Sequence, residues 1–116
     1  IHIPFCKKAC SYCNFHFSTS MGLYEKMIEA IKKEIIIRSK NYNDEIETIY
    51  FGGGTPSLLK IEDINDIFES IENNYRLSKN PEVTIEANPD DLTKSKLKSL
   101  STTKINRISL GDTNIR

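Results

Sequence analysis

Ile46-Glu47-Thr48-Ile49-Tyr50-Phe51-Gly52-Gly53-Gly54-Thr55-Pro56 is an apolar, β-branched run that stops abruptly in three consecutive glycines. Such a run reads as a strand, Ile46 to Phe51, and the Gly/Pro cluster marks the turn that ends it. Directly downstream, Ile61, Ile64, Ile67, Phe68, Ile71 and Tyr75 recur on one face at helical spacing. A strand that passes through glycines straight into an amphipathic helix is half of a βαβ unit.

The same alternation extends in both directions. Upstream, Ile1 to Phe5 reads as a short strand interrupted by Pro4. Ser18, Thr19 and Ser20 are N-cap candidates for a helix through about Arg38, with Tyr24, Met27, Ile28, Ile31 and Ile35 as its core stripe. Asn41, Asn43 and Asp44 break that pattern. Downstream, Asn80 and Pro81 turn the chain into a third strand, Val83 to Ala87, closed by Asn88 and Pro89. A weaker helix with Leu92, Leu97 and Leu100 follows, then a fourth strand, Ile105 to Leu110, closed by Gly111. Strand–helix alternation of this kind predicts an α/β fold with parallel strands and right-handed crossovers. Ligands of such folds gather at the carboxyl ends of the strands. The residues with chemistry to offer fall there: cysteines after the first strand, glycines after the second, and Glu86-Ala87-Asn88-Pro89 at the end of the third.

The chain has 116 residues, about one small domain, with 38% hydrophobic and 28% charged residues, as expected of a globular protein. Its formal net charge of zero implies no broad attraction to nucleic acid or to an anionic membrane. No apolar stretch is long enough to span a bilayer, and no signal peptide is visible. The lysines from Lys94 to Lys104 read as a solvated helix face, since no aromatic residues interleave with them. The chain opens on Ile1 instead of Met and stops just after an apolar run, which reads as a fragment of something longer.

Its only cysteines, Cys6, Cys10 and Cys13, are spaced C-x3-C-x2-C. An odd number of tightly clustered cysteines argues against a disulfide framework and for a reducing cytoplasm. Three thiolates can hold an iron–sulfur cluster with one iron left open. They can also hold structural zinc, with His16 or His2 as the fourth ligand, and they could be three unrelated thiols. Lys7 and Lys8 would depress the thiol pKa values and offset negative charge at such a centre.

Gly52-Gly53-Gly54-Thr55-Pro56 lacks the lysine and spacing of a phosphate loop, and its glycines would let the backbone approach a charged head group. Glu86 ends an apolar strand, where a carboxylate needs a cationic or hydroxyl-bearing partner; the plain alternatives to a ligand are an exposed strand-end acid or pairing with Arg107 on the next strand.

Together these motifs resemble the radical S-adenosylmethionine (SAM) superfamily. Ile3-Pro4-Phe5-Cys6, Tyr50-Phe51-Gly52-Gly53-Gly54-Thr55-Pro56 and Asn106-Arg107-Ile108-Ser109-Leu110-Gly111 are similar to its oxygen-independent coproporphyrinogen III oxidase-like branch. Within that branch the run Cys13-Asn14-Phe15-His16-Phe17 is similar to the haem chaperone members, because Phe15 stands where the dehydrogenases carry an extra cysteine.

The resemblance implies that Cys6, Cys10 and Cys13 bind a 4Fe-4S cluster whose open iron takes the amino and carboxylate groups of SAM. It implies that Tyr12 lies near the adenine, that Gly53, Gly54 and Thr55 meet the methionine moiety, and that Glu86 makes a polar contact to the cofactor. In the superfamily, an electron donor reduces the cluster, which then cleaves the sulfonium to a 5′-deoxyadenosyl radical. For the chaperone members the implied role is haem binding and delivery to respiratory proteins. The other two readings are a radical SAM enzyme such as a porphyrinogen dehydrogenase, which Phe15 disfavours, and a zinc-stabilised module, which leaves Gly52 to Pro56 unexplained.

Residues 1–116 are thus expected to form the N-terminal part of a partial (β/α)6 barrel, the radical SAM core, and to be marginally stable alone. The chain departs from the family after Gly111, where Asp112-Thr113-Asn114-Ile115 replaces Val-Gln-Ser-Phe and its cofactor-binding glutamine, and at Lys104, where a glycine is usual.

Overall fold

Among the described residues four strands, all parallel, lie side by side in the order of the sequence, with helices in the connections. The computed structural model describes residues 1–3, 13–54, 56 and 59–110. The elements are β1 (His2–Ile3), α1 (Cys13–Ser39), β2 (Ile46–Gly53), α2 (Ile61–Asn74), β3 (Leu77–Ala87), α3 (Lys94–Leu100) and β4 (Arg107–Leu110). No described helix is long and apolar enough to cross a membrane.

Side chains of a strand alternate between the two faces of its sheet. Ile49 and Phe51 of β2 and Val83 and Ile85 of β3 form the apolar set and meet the helices. Against them pack Ile28 and Ile35 of α1, Ile64, Ile67, Phe68 and Ile71 of α2, and Leu100 of α3. The two helical stripes expected from periodicity are the buried faces except at Met27, which is half-buried and not part of this core, and Tyr24, Ile31, Ile61 and Tyr75 pack at their margins. Phe51, Ile67 and Ile85 are fully buried, each worth roughly 1.5–3 kcal/mol of transfer free energy.

The element boundaries differ from the expected ones in instructive ways. Helix α1 begins at Cys13, not at the hydroxyl residues 18–20. Serine and threonine lose only a few tenths of a kcal/mol inside a helix, so a long helix runs through them. Strand β3 begins at Leu77, so Asn80 and Pro81 lie inside it and do not precede it. The ladder accommodates them by a register shift: Ile46 pairs with Leu77 and Thr48 with Glu82, so β3 carries extra residues where proline cannot donate.

Leu92 lies outside α3, as the C-cap of a short 3-10 turn over Pro89–Asp91, and Thr93 caps α3 by accepting from the Lys96 N–H at 3.1 Å. Lys94, Lys98 and Lys104 are exposed as expected, but Lys96 is half-buried and desolvation lowers its pKa. Strand β4 begins at Arg107 because the side chain of Asn106 takes over the pairing of the position before it. Of the expected first strand, Pro4 and Phe5 lie outside the described residues.

Candidate cofactor site

The face of the sheet away from the helices is polar. The register aligns Tyr50 with Thr84, Thr84 with Arg107 and Glu86 with Ser109, and with Gly52 these residues share that face, Gly52, Glu86 and Ser109 near the carboxyl ends of their strands. Thr84 is fully buried there and accepts from Arg107 Nη1 at 3.3 Å. Arg107 Nε also stands 3.9 Å from Glu82 Oε2. Arg107 thus donates to Thr84 and pairs electrostatically with Glu82, and the expected alternative of an Arg107–Glu86 pair is not what forms.

Glu86 is held by β2 instead. The Tyr50 hydroxyl donates to Glu86 Oε2 at 2.6 Å, and the Gly53 N–H donates to Glu86 Oε1 at 3.3 Å. Accepting the phenol's hydrogen bond, the Glu86 carboxylate raises the pKa of Tyr50 above the ordinary tyrosine value.

The glycines of the turn do different jobs. Gly52 is buried in the β2 ladder, where its N–H donates to the Ile1 carbonyl at 2.8 Å. A Cβ on it would lie 2.8 Å from Tyr50 Cε1 and 3.4 Å from Glu86 Oε1, so its bareness makes room for the tyrosine ring. Gly53 adopts φ 112°, a conformation that side-chain-bearing residues rarely accept. Its N–H is the one that donates to Glu86. Gly54 is exposed at the bend that follows.

The fold therefore brings Gly53 and Glu86 together and sets Gly54 beside them in sequence. Cys13 is the first residue of α1, which follows β1. Cys6, Cys10, Tyr12 and Thr55 lie outside the described residues. In the sequence Tyr50 stands out only as part of a motif, not as a partner of Glu86. Strand alternation contained the signal for Tyr50, since a residue two before Gly52 must share its face. A cleft of about 770 Å³ between α1 and α2, lined by residues such as Tyr24, Lys33, Lys60 and Asp66, is on the helical side and does not include these groups.

An anionic acceptor beside glycine backbone at a strand end can take a ligand that presents hydroxyl or ammonium donors. Three clustered thiols upstream are a donor set of the kind that holds an iron–sulfur cluster. Both fit the group that the family employs.

The family model described as the radical SAM superfamily matches residues 1–111. The chain is 37% identical over 113 residues to "Radical S-adenosyl methionine domain-containing protein 1, mitochondrial" of Danio rerio, covering 96% of this chain and 26% of that protein. It is 37% identical over 115 residues to "Heme chaperone HemW" of Bacillus subtilis, covering 96% of this chain and 30% of that protein. With the HemW of Buchnera aphidicola from Acyrthosiphon pisum it shares 39% identity over 118 residues, again 30% of that protein.

Among solved structures, coproporphyrinogen III oxidase (HemN) from Escherichia coli, described as a radical SAM enzyme, superposes with a TM-score of 0.74 at 26% identity. That match covers 95% of this chain and 26% of HemN, and the two share the parallel α/β architecture over that span. The chain spans less than a third of the length of these relatives. It belongs to the radical SAM superfamily.

Proposed function

We propose that residues 1–116 are the N-terminal portion of a radical SAM core in a haem chaperone, and that they contribute the ligands of a 4Fe-4S cluster and part of a SAM site. The observation that carries this reading is the meeting of Glu86 with the Gly53 N–H at the strand ends, in a chain whose cysteines are spaced C-x3-C-x2-C. Cys6, Cys10 and Cys13 would hold the cluster; Gly53, Gly54 and Thr55 would meet the methionine end of SAM, Glu86 a hydroxyl or ammonium donor, and Tyr12 the adenine. When bound, the cluster supplies one-electron chemistry at an iron with an open position.

What this chain's own residues do is orient. Gly53 donates its N–H to Glu86, and Glu86, half-buried and anchored from β2, offers fixed acceptor oxygens at the sheet end. Haem, respiratory acceptor proteins and an electron donor for the cluster are the partners proposed for the complete protein, in a cytoplasm that keeps the thiols reduced. Identity of 33–39% to HemW proteins supports the chaperone over the dehydrogenase, as does Phe15.

The test is anaerobic reconstitution of the full-length protein with iron and sulfide, followed by metal analysis and titration with SAM and with haem. About four irons per chain, SAM-dependent change in the cluster's electron paramagnetic resonance, and stoichiometric haem binding are expected. One equivalent of zinc satisfying the site in place of iron would overturn the reading. Porphyrinogen turnover with 5′-deoxyadenosine formation would replace the chaperone by the dehydrogenase.

A further inference from the structure

Tyr50 is an aromatic residue on the polar face of the sheet, 43% exposed, and nothing in the core requires it. Its hydroxyl is nevertheless tied at 2.6 Å to Glu86 Oε2 on the neighbouring strand, and its ring lies across Gly52, in the space a Cβ would need. Glutamate's terminal torsion is broad, so an exposed carboxylate otherwise samples many orientations. Here two donors from one strand take one oxygen each: the Tyr50 hydroxyl takes Oε2 and the Gly53 N–H takes Oε1. Two anchors define the plane of the carboxylate. Each carboxylate oxygen still has a second lone pair for an incoming donor.

We infer that Tyr50 is a positioning residue: its phenol, seated over Gly52, fixes the Glu86 carboxylate so that the free lone pairs meet the hydroxyl or ammonium donors of the ligand at the strand ends. The inference rests on the reading of Glu86 as a SAM contact given above. It assigns Tyr50 no contact with the ligand; it acts through Glu86. Gly52 belongs to the same device, because any side chain there would displace the ring.

Three variants of the full-length, reconstituted protein test this: Tyr50→Phe, Glu86→Gln and the double variant, each titrated with SAM. Tyr50→Phe keeps the ring over Gly52 and removes the donor. It is expected to weaken SAM binding about tenfold, Glu86→Gln to weaken it at least as much, and the double variant to bind no worse than Glu86→Gln alone, since residues acting through one another are not additive. In the metal-free protein, amide hydrogen exchange at Gly53 should quicken in Tyr50→Phe, as an unanchored carboxylate releases that N–H.

A fluorinated tyrosine at position 50 preserves the shape and lowers the phenol pKa. SAM affinity should then fall as pH rises through that pKa, with no such fall in the unmodified protein. If Tyr50→Phe and the fluorinated protein bind SAM as the parent does while Glu86→Gln loses it, Tyr50 has no positioning role and the Glu86 reading stands. If Glu86→Gln binds as the parent does, the Glu86 reading fails and takes the inference with it.

Discussion

Asn106 pairs with Val83 in both directions. The Asn106 N–H donates to the Val83 carbonyl at 2.9 Å, and the Val83 N–H donates to Asn106 Oδ1 at 2.9 Å. Its Nδ2 donates in turn to the carbonyl of Pro81 at 3.0 Å. The side chain imitates a strand residue just before β4 begins and serves the stretch of β3 around the register shift. What reads in the sequence as part of a family motif is, in the fold, the clasp that sets β4 against β3.

Replacing Asn106 by alanine removes the acceptor of an N–H on a residue that is 1% exposed. A buried donor left unsatisfied costs about 1–3 kcal/mol. Asn106→Ala is therefore expected to lower the urea midpoint of the full-length protein without changing its m-value. Asn106→Asp, which keeps the acceptor and loses the donor to Pro81, should cost less.

Tyr24 stands in for a helix cap. Helix α2 has Lys60 at its N-cap and no side-chain capping bond of its own. The Tyr24 hydroxyl accepts from the Lys60 N–H at 3.0 Å and donates to Asp63 Oδ2 at 2.5 Å, joining α1 to the start of α2. Tyr24→Phe should destabilise by about 1–2 kcal/mol, the scale of a lost cap. Burial first, then the bond to Asp63, hold the Tyr24 phenol above the ordinary tyrosine pKa. The folded protein thus keeps a proton that the unfolded chain gives up, so this contribution is complete below about pH 10 and declines as pH rises beyond it. Urea titrations at a series of alkaline pH values should show the parent losing its advantage over Tyr24→Phe.

Gly52 and Gly53 resist substitution for different reasons, and the two variants should separate. Gly52→Ala puts a methyl 2.8 Å from the Tyr50 ring, so the ring must leave Glu86; overpacking of this kind costs about 1–3 kcal/mol. Gly53→Ala meets backbone strain at φ 112°, worth about 1–3 kcal/mol. Combining Gly52→Ala with Tyr50→Ala should recover stability, because the clash is gone, while Gly53→Ala should gain nothing from it. Denaturation midpoints of the four proteins would decide this.

Each of Cys6→Ser, Cys10→Ser and Cys13→Ser should bring reconstituted iron close to zero, since a cluster held by three thiolates has none to spare. Phe15→Cys should leave the iron content at the parent level. Iron retained after any one cysteine is removed would show that another residue completes the site.

Much of this was legible without a structure. Strand–helix alternation, the helical stripes and the convergence at strand ends follow from periodicities of two and 3.6 that the chain must obey wherever it folds. Boundaries were less legible. Cys13 opens α1 because hydroxyl residues oppose helix only weakly, and Asn80 and Pro81 sit inside β3 because a register shift absorbs them. Glu86 could be singled out from its place at the end of an apolar strand, and its choice between Arg107 and β2 could not.

The sequence by itself determined the class of the fold, the family, and which residue types are offered at the strand ends. Only the tertiary structure decided who holds whom: that Glu86 takes Tyr50 and the Gly53 N–H, that Arg107 turns to Glu82 and Thr84, and that Gly52 is bare to seat a ring. The reason is physical. Periodicity sets which face a side chain shares along one strand, whereas its partner across strands depends on register, and register is fixed only when β2, β3 and β4 pair in space.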